Sequence, residues 1–439
     1  MATSLRANLS FILVGNLIYA GAQWGMVVAL ARIGSPTMVG DLSLALAVTA
    51  PIIIFAMLNT RAAQATDQDN HFAFRDFAQL RIFCLACAST AIGLLLAASD
   101  YNNDTATVIT LVAISKISDA AADTVHGELQ KQERMARIAG SRATRGVLQF
   151  FALTGTVGAT GNLVAGAAGM AAASLVTTAI YDYKSYRLLR DSASRPGTFR
   201  VLAPPDTAAL RRLFLLAAPL GLASSIESLN ANIPRYFLEA YAGREGLGYY
   251  SALAQLMMGQ ALVLGAAGAA AAPRLARRLS SDIADFIRTT NRLLALGFGV
   301  AAASVTVSFI AGERILSVLY APSYAAHSDL LVWLMLVSVP ANLCAVVSTA
   351  LLAAHRFRIL TISSATMAVT TTAAAMVLIP ARGPVGAAWA LGLGSTVRLI
   401  LSTSCLLVVL RQRRQESSTK HYKKPDPCSS TSDTKPIAP

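Results

Sequence analysis

What most constrains this chain is the recurrence of charge-free apolar runs about as long as a membrane is thick. Residues 9–31, 42–60 and 82–99 hold no charged side chain, and 105–125 is interrupted only by Lys116, Asp119 and Asp123. A helix of about 20 apolar residues crosses a hydrocarbon core of about 30 Å, so each run reads as one span. Residues 146–181 are also charge-free but too long for one crossing. The stretch TGTVGATGNLVAGAAG in their middle supplies a break and makes them two helices in a tight hairpin. Residues 182–212, with Pro196, Pro204 and Pro205, read as a polar connection, and six further runs follow at 213–233, 246–272, 293–311, 330–354, 359–379 and 384–410. The expectation is an all-α polytopic membrane protein of twelve transmembrane helices. Its parts are a six-helix lobe at 1–183, a cytoplasmic linker at 184–212, a second six-helix lobe at 213–410 and a disordered tail at 411–439. With 54% hydrophobic and 14% charged residues, the composition excludes an ordinary soluble chain.

The first run is too long for the apolar core of a cleaved leader and has no cleavage site, so no leader is expected. Thirty of the 37 Lys and Arg residues fall in segments that share one side if the N-terminus is inside. Arg32, Arg235, Arg244, Arg314 and Arg382 fall on the other side, and Lys116 and Arg398 fall within spans. This asymmetry predicts that both termini are cytoplasmic, and it accounts for the net charge of +14 without a nucleic-acid partner. Cys84, Cys87, Cys344, Cys405 and Cys428 are scattered, and the first four, which lie in apolar runs, read as small packing residues. Val39-Gly40-Asp41-Leu42-Ser43 and Leu247-Gly248-Tyr249-Tyr250-Ser251 open the second helix of each half, 208 residues apart. With an even number of helices per half, such a repeat is parallel, and its pseudo-twofold axis runs along the membrane normal.

The chain carries no HExxH, P-loop or GxSxG, and its five histidines stand far apart, so neither a metal nor a cofactor is expected. The outside loops, the longest at about 312–329, are too short to hold a catalytic site, and the chain is not expected to be an enzyme. Charge inside the spans is the informative remainder, since each such residue costs about 2.5–3.5 kcal/mol on insertion scales and faces the bundle interior. Lys116, Asp119 and Asp123 share one helical face. They form either a charged stripe on a cavity wall or an internal Lys116–Asp119 pair with Asp123 at the interface. Glu227 lies in the polar run of Ser224, Ser225, Ser228, Asn230 and Asn232. A half-buried carboxylate there suits proton exchange, with a packing hydrogen bond as the other reading. Arg398 sits mid-span in the last helix. Its planar fork matches a pair of phosphate oxygens, or it pairs with a carboxylate such as Glu227 or Asp119.

The stretch 210–260 carries a resemblance. Pro219, Ser228-Leu229-Asn230, Pro234-Arg235-Tyr236-Phe237-Leu238, Gly243 and Leu247-Gly248-Tyr249-Tyr250-Ser251-Ala252 resemble the polysaccharide transporter (O-antigen repeat-unit flippase) family of the multidrug/oligosaccharidyl-lipid/polysaccharide exporter superfamily. The resemblance implies two six-helix lobes around a cavity that opens alternately to each side. It implies translocation of a polyprenyl-diphosphate-linked oligosaccharide from the cytoplasmic to the outer leaflet of a bacterial inner membrane, with ion coupling. From their positions in the spans and not from a family motif, Lys116 and Arg398, one in each half, are expected to act as two clamps on the diphosphate, with Asn230 also contacting substrate, and Glu227, Asp119 and Asp123 are expected to serve the coupling ion. The expected partners are the lipid-linked glycan, membrane lipids and other polysaccharide assembly proteins. Two alternatives stand beside it. A cation-coupled drug exporter shares the fold but calls for an anionic cavity, and a membrane glycan polymerase or ligase calls for long outside loops.

Overall fold

The computed structural model describes residues 5–422 apart from 68, 70 and 192–198, and among these residues the regular structure is helical throughout. The first half comprises α1 (Leu5–Ile33), α2 (Pro36–Met57), α3 (Thr60–Thr66), α4 (Phe74–Ala98), α5 (Asn103–Lys131), α6 (Met135–Thr160), α7 (Leu163–Thr177) and α8 (Tyr183–Asp191). A single π-turn, Thr178–Asp182, joins α7 to α8. The second half comprises α9 (Thr207–Ala254), α10 (Met257–Ser281), α11 (Ile283–Leu319), α12 (Pro322–Ala325), α13 (Ser328–Ala353) and α14 (Phe357–Tyr422).

Short-range chemistry sets the ends of these helices. Ser35 caps α2 by accepting from the Met38 N–H, with Pro36 at the first helical position. Asn102 caps α5 and Asp206 caps α9 in the same way. The expected break in 146–181 falls at Gly161, whose φ of 64° ends α6 before Asn162 caps α7. Positive φ also breaks the two longest helices, at Gly243 (φ 67°) in α9 and Gly383 (φ 53°) in α14, a conformation that glycine enters without a Cβ penalty.

Nine stretches among the described residues are long and apolar enough to cross a membrane. Two of them, Thr207–Leu279 and Phe357–Arg413, are 73 and 57 residues long and break at these glycines, so each supplies two crossings. Helix α6 is a further helix of 26 residues outside those nine stretches. This accommodates the expected twelve. The helices are longer than their charge-free cores. Helix α6 begins at Met135 and takes Arg142 and Arg145 into the bundle, α9 takes in Arg235, and α14 continues past Leu410 to Tyr422. Charge-free runs alone place those three arginines in loops, and the first dozen residues of the expected disordered tail are helical. Residues 423–439 lie outside the described residues.

Helix α1 begins and α14 ends on one face of the bundle, the terminal face. The turns near residues 34, 161, 243, 320 and 383 lie on the opposite, turn face. A large apolar core runs through both halves, with Leu44, Ile109, Leu153, Leu253 and Leu334 fully buried in it. Part of the connection between the halves is pinned to the first half. Phe199 stacks on Phe74 at 4.8 Å, and Gln79 donates to the Val201 and Ala203 carbonyls at 2.8 and 2.7 Å.

The halves meet along α2 and α9, where Ser225 donates to the Pro51 carbonyl and Tyr236 to that of Ala47. At the turn face the contact is backbone on backbone. A Cβ on Gly40 would lie 1.9 Å from the Arg244 carbonyl oxygen, and one on Gly248 would lie 1.9 Å from that of Pro36. Positions 36 and 244 are 208 apart, as are 40 and 248. The two contacts are therefore images of each other under the repeat read from the sequence. Around them Arg244 pairs with Asp41 at 2.5 Å and donates to Thr105, and Arg32 donates to the Leu319 carbonyl at 3.0 Å. These contacts close the turn face between the halves.

Candidate functional site

On the terminal-face side of this closure lies a cavity of about 340 Å³, walled by α1, α2, α5, α6 and α9. Its apolar wall is α2, through Leu46, Ile53, Ile54 and Met57. Opposite stand Lys116, Asp119, Asp123, Arg142, Arg145 and, from the second half, Asn232 and Arg235. Four cations thus face two carboxylates in a partly desolvated space, where charge interactions exceed their strength in water.

The cations are not equivalent. Arg145 is committed to carboxylates through both terminal nitrogens, donating to Asp119 at 2.7 Å, to Asp182 at 2.6 Å and to Thr178 at 2.9 Å, with its buried Nε left without a partner. Lys116 shares Asp119 at 3.6 Å, and the Tyr19 hydroxyl reaches the same carboxylate at 3.5 Å. Asp123 is neutralised by Arg61 at 3.3 Å and Arg81 at 3.5 Å. Arg142 and Arg235 differ, since their hydrogen bonds go to neutral amides. Arg142 donates to Asn16 Oδ1 at 2.5 Å and lies 5.9 Å from the Tyr19 ring centre. Arg235 donates to Asn232 Oδ1 at 2.7 Å, and its buried Nε has no partner. Among the described residues neither guanidinium has a carboxylate within ion-pair distance. One stands on each half of the chain, aimed into a common cavity.

Of the residues singled out from the sequence, Lys116, Asp119 and Asp123 line this cavity together. Both readings of the stripe hold in part, because Lys116 and Asp119 are paired and also face the cavity. Arg398, Glu227 and Asn230 do not join them. They form a separate cluster between α9 and α14, in which Arg398 grips Glu227 with both fork nitrogens at 2.6 and 2.8 Å. Ser364 donates to the same carboxylate, and Asn230, 2% exposed, donates to the Ser364 carbonyl at 3.0 Å. The pairing of Lys116 with Arg398 as two clamps on one ligand is thereby corrected. Glu227 occupies both terminal nitrogens of Arg398, and the second-half cation that lines the cavity is Arg235.

Hydropathy alone ends a span at the first arginine, and so leaves Arg142, Arg145 and Arg235 outside the expected site. Spacing held the signal for two of them. Arg142, Arg145 and Gln149 fall three and four residues apart on one helical face, and Gln149 is buried, bonding Ser174 at 2.5 Å and Ser115 at 3.2 Å.

A model of the family described as polysaccharide biosynthesis protein matches residues 5–278, which include every wall of this cavity. The chain belongs to that family. It is similar to the capsular polysaccharide biosynthesis protein CapF of Staphylococcus aureus, with 25% identity over 330 residues that cover 74% of this chain and 80% of CapF. Its fold is that of the lipid II flippase MurJ in an inward closed conformation, with a TM-score of 0.68 at 10% identity over 94% of this chain and 93% of MurJ. It is also that of a multidrug resistance MATE transporter of the MOP superfamily in an inward-facing conformation, with a TM-score of 0.61 at 14% identity over 97% of both chains. A Pyrococcus furiosus transporter of the same superfamily, described by a binding pocket of reverse polarity, matches with a TM-score of 0.59 at 13% identity over 93% of this chain and 94% of that one. The chain is thus a multi-pass membrane protein of the polysaccharide biosynthesis family with the fold seen in MurJ and the MATE transporters.

Proposed function

We propose that this protein moves a polyprenyl-diphosphate-linked oligosaccharide across a bacterial inner membrane, from the cytoplasmic to the outer leaflet, by alternating access. The observation that carries the reading is the pair of carboxylate-free guanidiniums, Arg142 and Arg235, one from each half, in a cavity where cations outnumber acids. A diphosphate cannot enter hydrocarbon unpaired. A planar fork on each side of it supplies the charge-assisted hydrogen bonds that replace water. Because the two arginines belong to different halves, closing the halves on the ligand strengthens both contacts, and opening them weakens both. Lys116 stands 3.6 Å from Asp119 and adds a third positive charge to the wall. The same excess of cations weighs against a cationic drug as cargo, and the family assignment to polysaccharide biosynthesis supports a glycan. The terminal face is the cytoplasmic one on this reading, which the excess of basic residues in the segments on that face supports.

The test is deletion of the gene and analysis of the lipid-linked glycans that accumulate, followed by complementation. Wild type should clear an undecaprenyl-linked intermediate from the inner leaflet. Arg142→Gln and Arg235→Gln should each slow this by at least about tenfold at unchanged protein level, since a charged hydrogen bond contributes roughly 1.5–3 kcal/mol. Arg382→Gln, which removes a guanidinium stacked on Trp389 away from the cavity, serves as the control. Normal transport by both cavity variants would sink the assignment.

A further inference from the structure

A second, larger cavity lies outside the site described above. It is a groove of about 1020 Å³ between α11 and the second arm of α14, floored by Leu343 and Val347 of α13. Both walls pack against α13 far more closely than against each other, which leaves the groove between them. Spacing accounts for its lining. Ile287, Asn291, Leu294 and Phe298 recur every three or four residues on one face of α11, and Ile400, Ser404 and Leu407 do so on α14. Phe298, Ile400 and Leu407 stay more than half exposed, so the groove is open along its length.

The groove changes character where it meets the terminal face. The lining face of α14 continues from Leu407 to Arg411, four residues on. Arg288 and Arg292 flank the lining of α11, three residues before Asn291 and Ala295 respectively. Arg292 and Arg411 are exposed, and among the described residues neither has a carboxylate within ion-pair distance. The acid beside them, Asp285, is already shared between Arg278 at 3.2 Å and Arg288 at 3.7 Å. At the same level the exposed Asn291 amide has no hydrogen-bond partner among the described residues. From Phe286 to Phe298 the groove runs about 18 Å along α11 at 1.5 Å per residue. One leaflet of hydrocarbon is about 15 Å deep.

We propose that this groove holds one anionic phospholipid of the terminal-face leaflet, with its acyl chains between α11 and α14 and its phosphate at Arg292 and Arg411. Depth and charge together select this occupant. A slot as deep as one leaflet, apolar inside and basic at the headgroup level, matches a molecule with an apolar body and an anionic head. The Asn291 amide stands where the glycerol esters offer acceptors. A second copy of the chain seated on the same face by a twofold axis brings these arginines against their own images, and the like charges oppose it. The long-chain cargo is a poorer match, because the groove shares no helix with the cavity. A polyprenyl tail seated here would leave its diphosphate at the groove mouth and not between Arg142 and Arg235. The bound phospholipid supplies the packing that α11 and α14 do not give each other, and so ties the two helices together. This site does not depend on the identity of the cargo.

The experiment uses the full chain in phosphatidylethanolamine nanodiscs doped with phosphatidylglycerol that carries a photoreactive diazirine in one acyl chain. Illumination, digestion and mass spectrometry should place the label on peptides that contain residues 286–298 and 399–410. Unlabelled phosphatidylglycerol should compete and added phosphatidylethanolamine should not. Each arginine near a membrane surface is worth about fivefold in binding, so Arg292→Gln with Arg411→Gln should need roughly 25-fold more lipid for half-maximal labelling. Ala295→Trp fills the groove and leaves the charges in place, and it should abolish labelling of both peptides. Arg382→Gln, on the turn face, should label as wild type does. Equal competition by the two phospholipids, or full labelling of the double arginine variant, overturns the anionic headgroup site. Undiminished labelling of Ala295→Trp overturns the groove and leaves only attraction to a basic surface. Undecaprenyl phosphate competing better than phosphatidylglycerol overturns the proposed occupant in favour of a polyprenyl carrier.

Discussion

Gly248→Ala tests whether the symmetric glycine contact is what closes the turn face. The added Cβ would sit 1.9 Å from the Pro36 carbonyl oxygen. Comfortable separation of such heavy atoms is about 3.5 Å, so the two helices must move apart by more than about 1 Å. No rotamer relieves this, because both partners are backbone. Overpacking of this kind typically costs about 1–3 kcal/mol. Only conformations in which α2 and the second arm of α9 touch bear that cost, so the closed population should fall relative to the open one by about 5- to 150-fold. Local propensity works the other way, since alanine stabilises a helix by up to about 1 kcal/mol over glycine. Any opening therefore reports the tertiary contact. Spin labels at exposed positions 103 and 323, on the turn face of each half, would report the separation in a background where the native cysteines are replaced. The distance distribution should shift outward in Gly248→Ala and in Gly40→Ala. The double variant should add little, because the first substitution has already parted the helices. An unchanged distribution in a folded Gly248→Ala protein would refute the reasoning.

Asp41→Asn should move the same distances in the same direction but less, by about 1 kcal/mol, since the Arg244 pair is partly exposed. Arg398→Lys should lower the melting temperature in detergent, because a point charge cannot reproduce the two-pronged grip on Glu227. Glu227→Gln should add little in that background, whereas additive losses would show that the two residues act separately. Leu253→Ala, at a fully buried position where both halves contribute to the core, should cost about 2–5 kcal/mol and show as a large drop in thermal stability.

Apolar length alone made the class of this chain legible, because a bilayer accepts only segments whose backbone groups are satisfied internally. The hairpin between α6 and α7 was visible in its glycines, and the parallel repeat in the pair of Gly-containing pentapeptides at 208 spacing. Charge inside a span was a sound pointer to Lys116, Asp119 and Asp123, which do face one cavity. Where the spans end was less legible. Arginine is costly against lipid but not against water and carboxylates inside a bundle, so Arg145 could continue α6 once Asp119 and Asp182 were there to receive it.

Partner choice was beyond the sequence for a physical reason. Arg398 and Lys116 look alike along the chain, each a lone cation in an apolar run. Which of them keeps a free charge depends on what the neighbouring helices bring within about 4 Å, an electrostatic decision that falls off steeply with distance. Packing of α9 against α14 gave Arg398 a carboxylate at 2.6 Å. Packing of α9 against α2 turned Arg235 into the cavity, where its hydrogen bond goes to the neutral amide of Asn232. The sequence by itself determined a helical, twice-repeated membrane bundle with buried charge, because hydrophobicity and glycine spacing act locally. Tertiary structure decided which charges are spent on one another and which remain to bind a ligand, because that depends on contacts between residues as far apart as Glu227 and Arg398.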